Sequence, residues 1–420
     1  MTRSLLALMP ILMLGCPSSE NVDPDPQPNP DRVARVVINA QGDTGVVVDG
    51  HNAFTWDLYG ALVTEAGDGN VFFSPFSVTS ALSMTAAGAQ GDTAAAMAST
   101  LHMGADPAAW HTALGALTRD LNGDLGRGYT LNIANKLFGQ SGFAFEADFL
   151  ATCADDYGAP LQEWDFMADP AGGRLEVNDW VAAQTNDRIK DLLPEGSVTV
   201  DTRLVLANAI YFLGDWATAF DPADTADGGF ALLDGSSVTV PMMHMDLEAL
   251  EEHGVEAGWS DGVTAVRMPY QDDEISMIAL LPDEASDLAA LEAGLDSARV
   301  DALVNSLYPA AAPLTFPRFE LDYKADLVPA LTGLGMGVAF SDSADFNGIA
   351  ADQGLRITGV VHQAFVKVDE AGTEAAAATG VVVGIESAPM PLSFDRPFVF
   401  VLRDDLTGAI LFVGRVTDPS

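Results

Sequence analysis

Residues 368–385 read VDEAGTEAAAATGVVVGI. The preceding HQAFVKV (362–368) reads as a strand, and the following RPFVFVLRD (396–404) and ILFVGRV (410–416) read as a hairpin closed by DLTGA. Small residues fill the span from Ala371 to Gly380, with no proline, no aromatic ring and one charge. Such a segment packs little surface of its own, so an exposed, mobile loop is expected. Yet Thr373, Ala375, Ala377, Thr379, Val381 and Val383 alternate along it and are compact enough for the buried face of a sheet. The intervening Glu374, Ala376, Ala378, Gly380, Val382 and Gly384 would face the other way, where a charge is hydrated. A loop with the pattern of a strand implies a stored conformational change.

The motif DEAGTEAAAATG (369–380) resembles the hinge of the reactive loop in the serpins, inhibitors that trap proteases. Further matches follow in that family's order: NVFFSPFSVTSALSMTAAGAQGDT (70–93), TRLVLANAIYFLGDWATAFDP (202–222), VRMPYQDDEISMIALLPD (266–283), LTFPRFELDYKADLVPALTGLGM (314–336) and ADFNGI (344–349). The resemblance implies an α+β serpin fold: three β-sheets, surrounding helices and an exposed reactive centre loop. The residues themselves point the same way. Phe54, Leu58 and Leu62 mark an amphipathic helix, Ser74-Pro75 a helix cap and first turn, and the apolar runs 204–213 and 275–281 central strands.

The resemblance also assigns roles. Glu370, Gly372, Thr373, Glu374, Ala375, Ala376, Ala377 and Ala378 match the loop hinge. Ser74, Ser77, Asn208 and His362 match a polar cluster under the main sheet that re-forms its hydrogen bonds when the sheet opens. Trp216, Arg318 and Glu370 match the place where the loop first passes into that sheet, with Arg318 standing where many relatives have Lys. Counting forward from Glu370, or back from Phe394, places the scissile bond at Glu386-Ser387, within one or two residues. The expected partner is a serine or cysteine endopeptidase, with Glu386 pointing to one specific for Glu or Asp. A non-inhibitory serpin acting as a surface binding or chaperone protein stays open, as does an adhesin using only the acidic face. Loss of inhibition is usually announced by proline or bulky charge in the hinge; here Thr373 and the run Ala375 to Ala378 keep small side chains, which favours inhibition.

The chain has 420 residues, 48% of them hydrophobic, enough for a large core. With 19 Lys and Arg against 60 Asp and Glu the net charge is −41, which repels phosphate backbones and argues against nucleic acid. The acidity serves solubility and would steer basic partners towards the protein. The start, MTRSLLALMPILMLGC, has a positive residue and then an apolar run too short to span a bilayer. Its end, LMLGC, resembles the bacterial lipoprotein signal, with Met13 where Leu is usual. Residues 1–15 therefore read as a signal peptide, Cys16 as a lipidation site, 16–45 as a Pro/Asp-rich linker and 46–420 as one domain. This implies an exported monomer, lipid-anchored to the cell envelope or surface, with ordinary secretion as the alternative. Cys153, the remaining Cys, lies on a helical pattern with Phe149 and Leu150 and reads as a buried, inert thiol.

No catalytic, cofactor or metal site is expected. The chain lacks G-x-S-x-G, His-Glu-x-x-His and a P-loop. His102 with His111, and His244 with His253, are spaced too widely for a helical ligand pair and read as scattered surface histidines.

Overall fold

The computed structural model describes residues 44–123, 128–252, 254–373 and 392–420. Cys16, the signal peptide, the linker up to residue 43, His253, the hinge from Glu374 to Ala378 and the bond Glu386-Ser387 lie outside the described residues. Helix α1 (Thr44–Ala66) opens just before the boundary read at 46 and buries Phe54, Leu58 and Leu62 completely. Helix α2 (Pro75–Ala86) begins as its sequence dictates: Ser74 caps it by accepting the N–H of Ser77, and Pro75 takes the first turn, where its missing N–H costs nothing. Helices α3 (Gly91–Thr100), α4 (Pro107–Leu121), α5 (Ala147–Asp155) and α6 (Pro170–Gln184) complete the N-terminal half. Among the described residues no helix is long and apolar enough to cross a membrane.

The strands, numbered along the chain, form three sheets. The first runs, edge to edge, β1 (Val71–Phe73), β17 (Ile410–Val416), β16 (Phe398–Asp404), β9 (Ile275–Pro282), β8 (Val263–Pro269), β7 (Glu256–Ser260) and β10 (Tyr308–Pro309). The predicted hairpin is its β16–β17 pair, and β9 is buried at every position, as an apolar run covered on both faces should be. The second sheet orders β15 (Leu392–Ser393), β11 (Leu314–Pro317), β6 (Ser237–Met245) and β5 (Ala226–Ala231). Phe316, Phe319, Phe394, Phe398 and Phe400 interlock where these two sheets and the main sheet meet.

The third, main sheet orders β12 (Phe319–Asp326), β13 (Val361–Val368), β14 (Gly372–Thr373), β4 (Leu204–Asp215), β2 (Tyr129–Gln140) and β3 (Leu161–Trp164). Here the sequence expectation needs correcting. Gly372 and Thr373 do not begin a loop: they are a short strand, buried, standing between β13 and β4. Val368 pairs with Thr373 on one side, and Asp215 and Gly214 pair with Gly372 and Thr373 on the other, all antiparallel. The chain reverses between β13 and β14 in a tight turn closed by the Asp369 N–H donating to the Gly372 carbonyl at 3.0 Å. The physical reason is Gly372 itself: without a Cβ its backbone lies directly against those of Gly214 and Asp215, a closeness that the composition of 371–380 alone cannot reveal. In the sheet order β13 and β4 are therefore not neighbours.

Candidate functional site

The turn that feeds β14 is held by the strand end it faces. The indole N–H of Trp216 donates to the Asp369 carbonyl at 3.0 Å, the Trp216 amide to Ala371 at 2.9 Å and the Phe220 amide to Glu370 at 2.8 Å. Glu370, 5% exposed, turns its carboxylate back under the turn, where it accepts from the Thr225 hydroxyl at 2.7 Å and from the Arg318 guanidinium. Burial pushes its pKa up, but the Thr225 hydroxyl, its own backbone and Arg318 outweigh that and hold the carboxyl below its ordinary value. Lys367 pairs with the neighbouring Asp369 at 2.9 Å. The three residues assigned to this place from sequence, Trp216, Arg318 and Glu370, thus converge on one turn.

Thr373, 2% exposed, faces inward as the two-residue period requires. Its hydroxyl lies 2.8 Å from that of Tyr270, in a hydrogen bond either can donate. Tyr270 stacks on Trp216 with ring centres 4.5 Å apart and planes 16° from parallel. Sequence reasoning passed over Tyr270 and Thr225. Both sit in unremarkable surroundings, and only the fold brings them to residues 103 and 145 positions away along the chain.

Lower in the same sheet the four residues of the second cluster form a chain of contacts. The backbone N–H of Ser74 donates to Nε2 of His362 at 3.0 Å; the Ser74 hydroxyl donates to the Leu411 carbonyl at 2.8 Å and accepts from the Ser77 amide. The Ser77 hydroxyl donates to the Asn208 side-chain oxygen, and Asn208 donates onward to Asn135 at 2.6 Å. Asn135, buried on β2, is a fifth member that the sequence did not single out. Burial lowers the His362 pKa to about 4, so its ring is neutral at pH 7 and free to accept from Ser74.

Two remaining residues answer the sequence reading differently. Cys153 is fully buried, and burial followed by the Asp156 charge pushes its thiol up to about 12. His111 is not on the surface: it is 6% exposed, bonded through Nδ1 to the Tyr157 hydroxyl at 2.6 Å, and lowered by burial to about 4. The packing of α4 against the turn that follows α5 overrides what spacing suggests. Among the described residues no group of three His, Cys, Asp or Glu side chains could hold a metal ion.

The family model for serpins, serine protease inhibitors, matches residues 49–419. The chain belongs to the serpins. Human Serpin B8 is 38% identical over 378 residues, 88% of this chain and 99% of that one. The leukocyte elastase inhibitor of Xenopus tropicalis is 36% identical over 372 residues, 87% and 97% of the two chains. An uncharacterised serpin-like protein of Thermococcus kodakarensis is 35% identical over 384 residues, 90% and 87%. A solved structure of cleaved Serpin 42Da superposes with a TM-score of 0.79 at 30% identity, covering 90% of this chain and all of the other. Uncleaved ovalbumin superposes equally, at 0.79 and 26% identity, with 89% and 100% covered. Sheets, helices and family therefore agree, and the family is one of protease inhibitors rather than enzymes.

Proposed function

We propose that this serpin traps a serine or cysteine endopeptidase by using the protease's own chemistry. The nucleophile of the protease attacks the carbonyl of Glu386, the amine of Ser387 leaves, and an acyl-enzyme remains. The freed hinge then extends β14 downward between β13 and β4, carrying the protease with it before water can deacylate the ester. The observation that supports this reading is the position of Gly372 and Thr373, already paired on both sides between two strands that do not pair with each other. The run Ala375 to Ala378 supports it too, because small side chains are what such a passage admits. A binding or chaperone role would need none of this.

Glu386 before the scissile bond favours a Glu- or Asp-specific protease, and the charge of −41 favours a basic one. Lipidation at Cys16 would tether the domain to a cell envelope through the Pro/Asp-rich linker. The test is direct. Mixed with a glutamyl endopeptidase, the protein should give an SDS-resistant covalent complex and a released fragment beginning at Ser387. Cleavage without any complex would remove the trapping reading and leave the binding alternative.

A further inference from the structure

We propose that Tyr270 is the positioning residue for the hinge: its hydroxyl recognises a hydroxyl at residue 373 and thereby sets the register in which the loop enters the main sheet. The proposal rests on the trapping mechanism above but concerns a contact that the mechanism does not require.

The Tyr270 ring has a single seat. It is 0% exposed, stacked on Trp216, and met edge-on by Phe212 with ring centres 4.8 Å apart at 77°. Gly214 on the strand beneath supplies the remaining wall: a Cβ there would lie 2.9 Å from the Tyr270 ring. The Tyr270 backbone is fixed as well, by its amide donating to Ile275 at 2.9 Å and by the bridge between Trp216 and Tyr270. A ring held this way cannot follow a misplaced partner. Burial keeps its hydroxyl protonated, so a donor is always presented.

What it meets depends on register alone. In the observed pairing, Thr373 opposite Val368 and Gly214, the partner is the Thr373 hydroxyl at 2.8 Å. A slip of one residue would offer Gly372 or Glu374 in its place, and neither carries a hydroxyl. Gly372 would leave the phenol O–H buried without a partner, and Glu374 would bring a carboxylate into an apolar seat. Both alternatives cost more than the observed one, so the first inward-facing residue is selected before the rest of the strand forms.

The test compares wild type with Tyr270→Phe, Thr373→Val, Thr373→Ser and the double variant Tyr270→Phe/Thr373→Val, each reacted with a glutamyl endopeptidase. Loop-cleavage rate, the ratio of covalent complex to cleaved free inhibitor, and the rise in Tm on loop cleavage are measured. Tyr270→Phe and Thr373→Val should each shift the ratio roughly three- to tenfold towards cleaved product at an unchanged cleavage rate. Thr373→Ser should behave as wild type, and the double variant should be no worse than either single one. A Thr373→Val variant equal to wild type, or additive effects in the double variant, would overturn the proposal. If wild type forms no complex, the trapping reading fails by itself. The contact is then judged on the Tm rise, which must shrink in both single variants without shrinking further in the double. An absent rise, or an equal rise in every variant, overturns it.

Discussion

Gly372 and Gly214 approach so closely across the β14–β4 pair that a Cβ on Gly372 would lie 2.1 Å from the Gly214 carbonyl oxygen and 2.7 Å from the Asp215 Cα. Both obstacles are backbone atoms of a sheet strand and cannot turn aside. Gly372→Ala should therefore push β14 out of its slot at an overpacking cost of about 1–3 kcal/mol. The expected result is loss of roughly ten- to a hundredfold in complex yield relative to cleaved product, with the loop still cut at the wild-type rate. Densitometry of SDS gels over a time course measures both.

Thr373 and Ala376 fall on opposite sides of the two-residue alternation in the sequence. Thr373→Arg would place an unpaired guanidinium where 2% exposure is observed, a penalty of several kcal/mol or more by the usual order of magnitude. That variant should be cleaved as a substrate without retaining the protease. Ala376→Arg, on the outward side of the alternation, should keep most of its complex yield. Equal yields would overturn the two-residue register beyond Thr373.

Glu370 links acid sensitivity to the turn. Its pKa in the folded protein lies below the ordinary 4.5, so the unfolded chain binds the proton more readily. Its contribution is thus complete above about pH 4.5 and is lost as pH falls through the lower folded value. Glu370→Gln should destabilise the protein at pH 7 by about 1–3 kcal/mol, through loss of its charge-assisted bonds, and should flatten the acid limb of a urea-midpoint profile.

His362 acts over a higher window. Its folded pKa of about 4 lies below the unfolded 6.5, so the unfolded chain again takes up the proton first and stability falls on acidification between those values. The difference corresponds to about 3 kcal/mol at most. His51 and His111, also lowered to about 4 by burial, add slopes of the same sign. Urea midpoints from pH 7 to pH 4.5 should decline, and His362→Gln should decline less steeply. An unchanged slope in that variant would assign the acid sensitivity to the other two rings.

On the proposed lipidation of Cys16, Cys16→Ser should move the protein from the membrane fraction to the soluble fraction of cells expressing the whole chain. Unchanged partitioning would favour ordinary secretion.

Much of this fold is legible where residues express their environment locally. The cap at Ser74, the buried run of β9 and the β16–β17 hairpin all carry their structure in spacing and residue type. The convergence of Trp216, Arg318 and Glu370 was legible only as motif resemblance, since nothing near Arg318 says that Glu370 is its partner. Residues such as Tyr270, Thr225 and Asn135 were not legible at all, because each owes its place to a strand or turn distant in sequence. His111 shows the same limit from the other side: its spacing carries no information about the Tyr157 hydroxyl that the turn after α5 brings to it.

Ser74 and Ser77 sit on one helical turn, yet they serve different halves of the main sheet: the Ser74 amide meets His362 on β13, and the Ser77 hydroxyl meets Asn208 on β4. The Ser74 hydroxyl in turn grips β17 of another sheet. The two strands are thus each moored to a common post rather than to one another. At this level β13 and β4 are bridged by the first turn of α2, where the Ser74 amide and the hydroxyls of Ser74 and Ser77 all have partners. The cap of α2 is in this sense a single fixed point that three strands of two sheets, β4, β13 and β17, share.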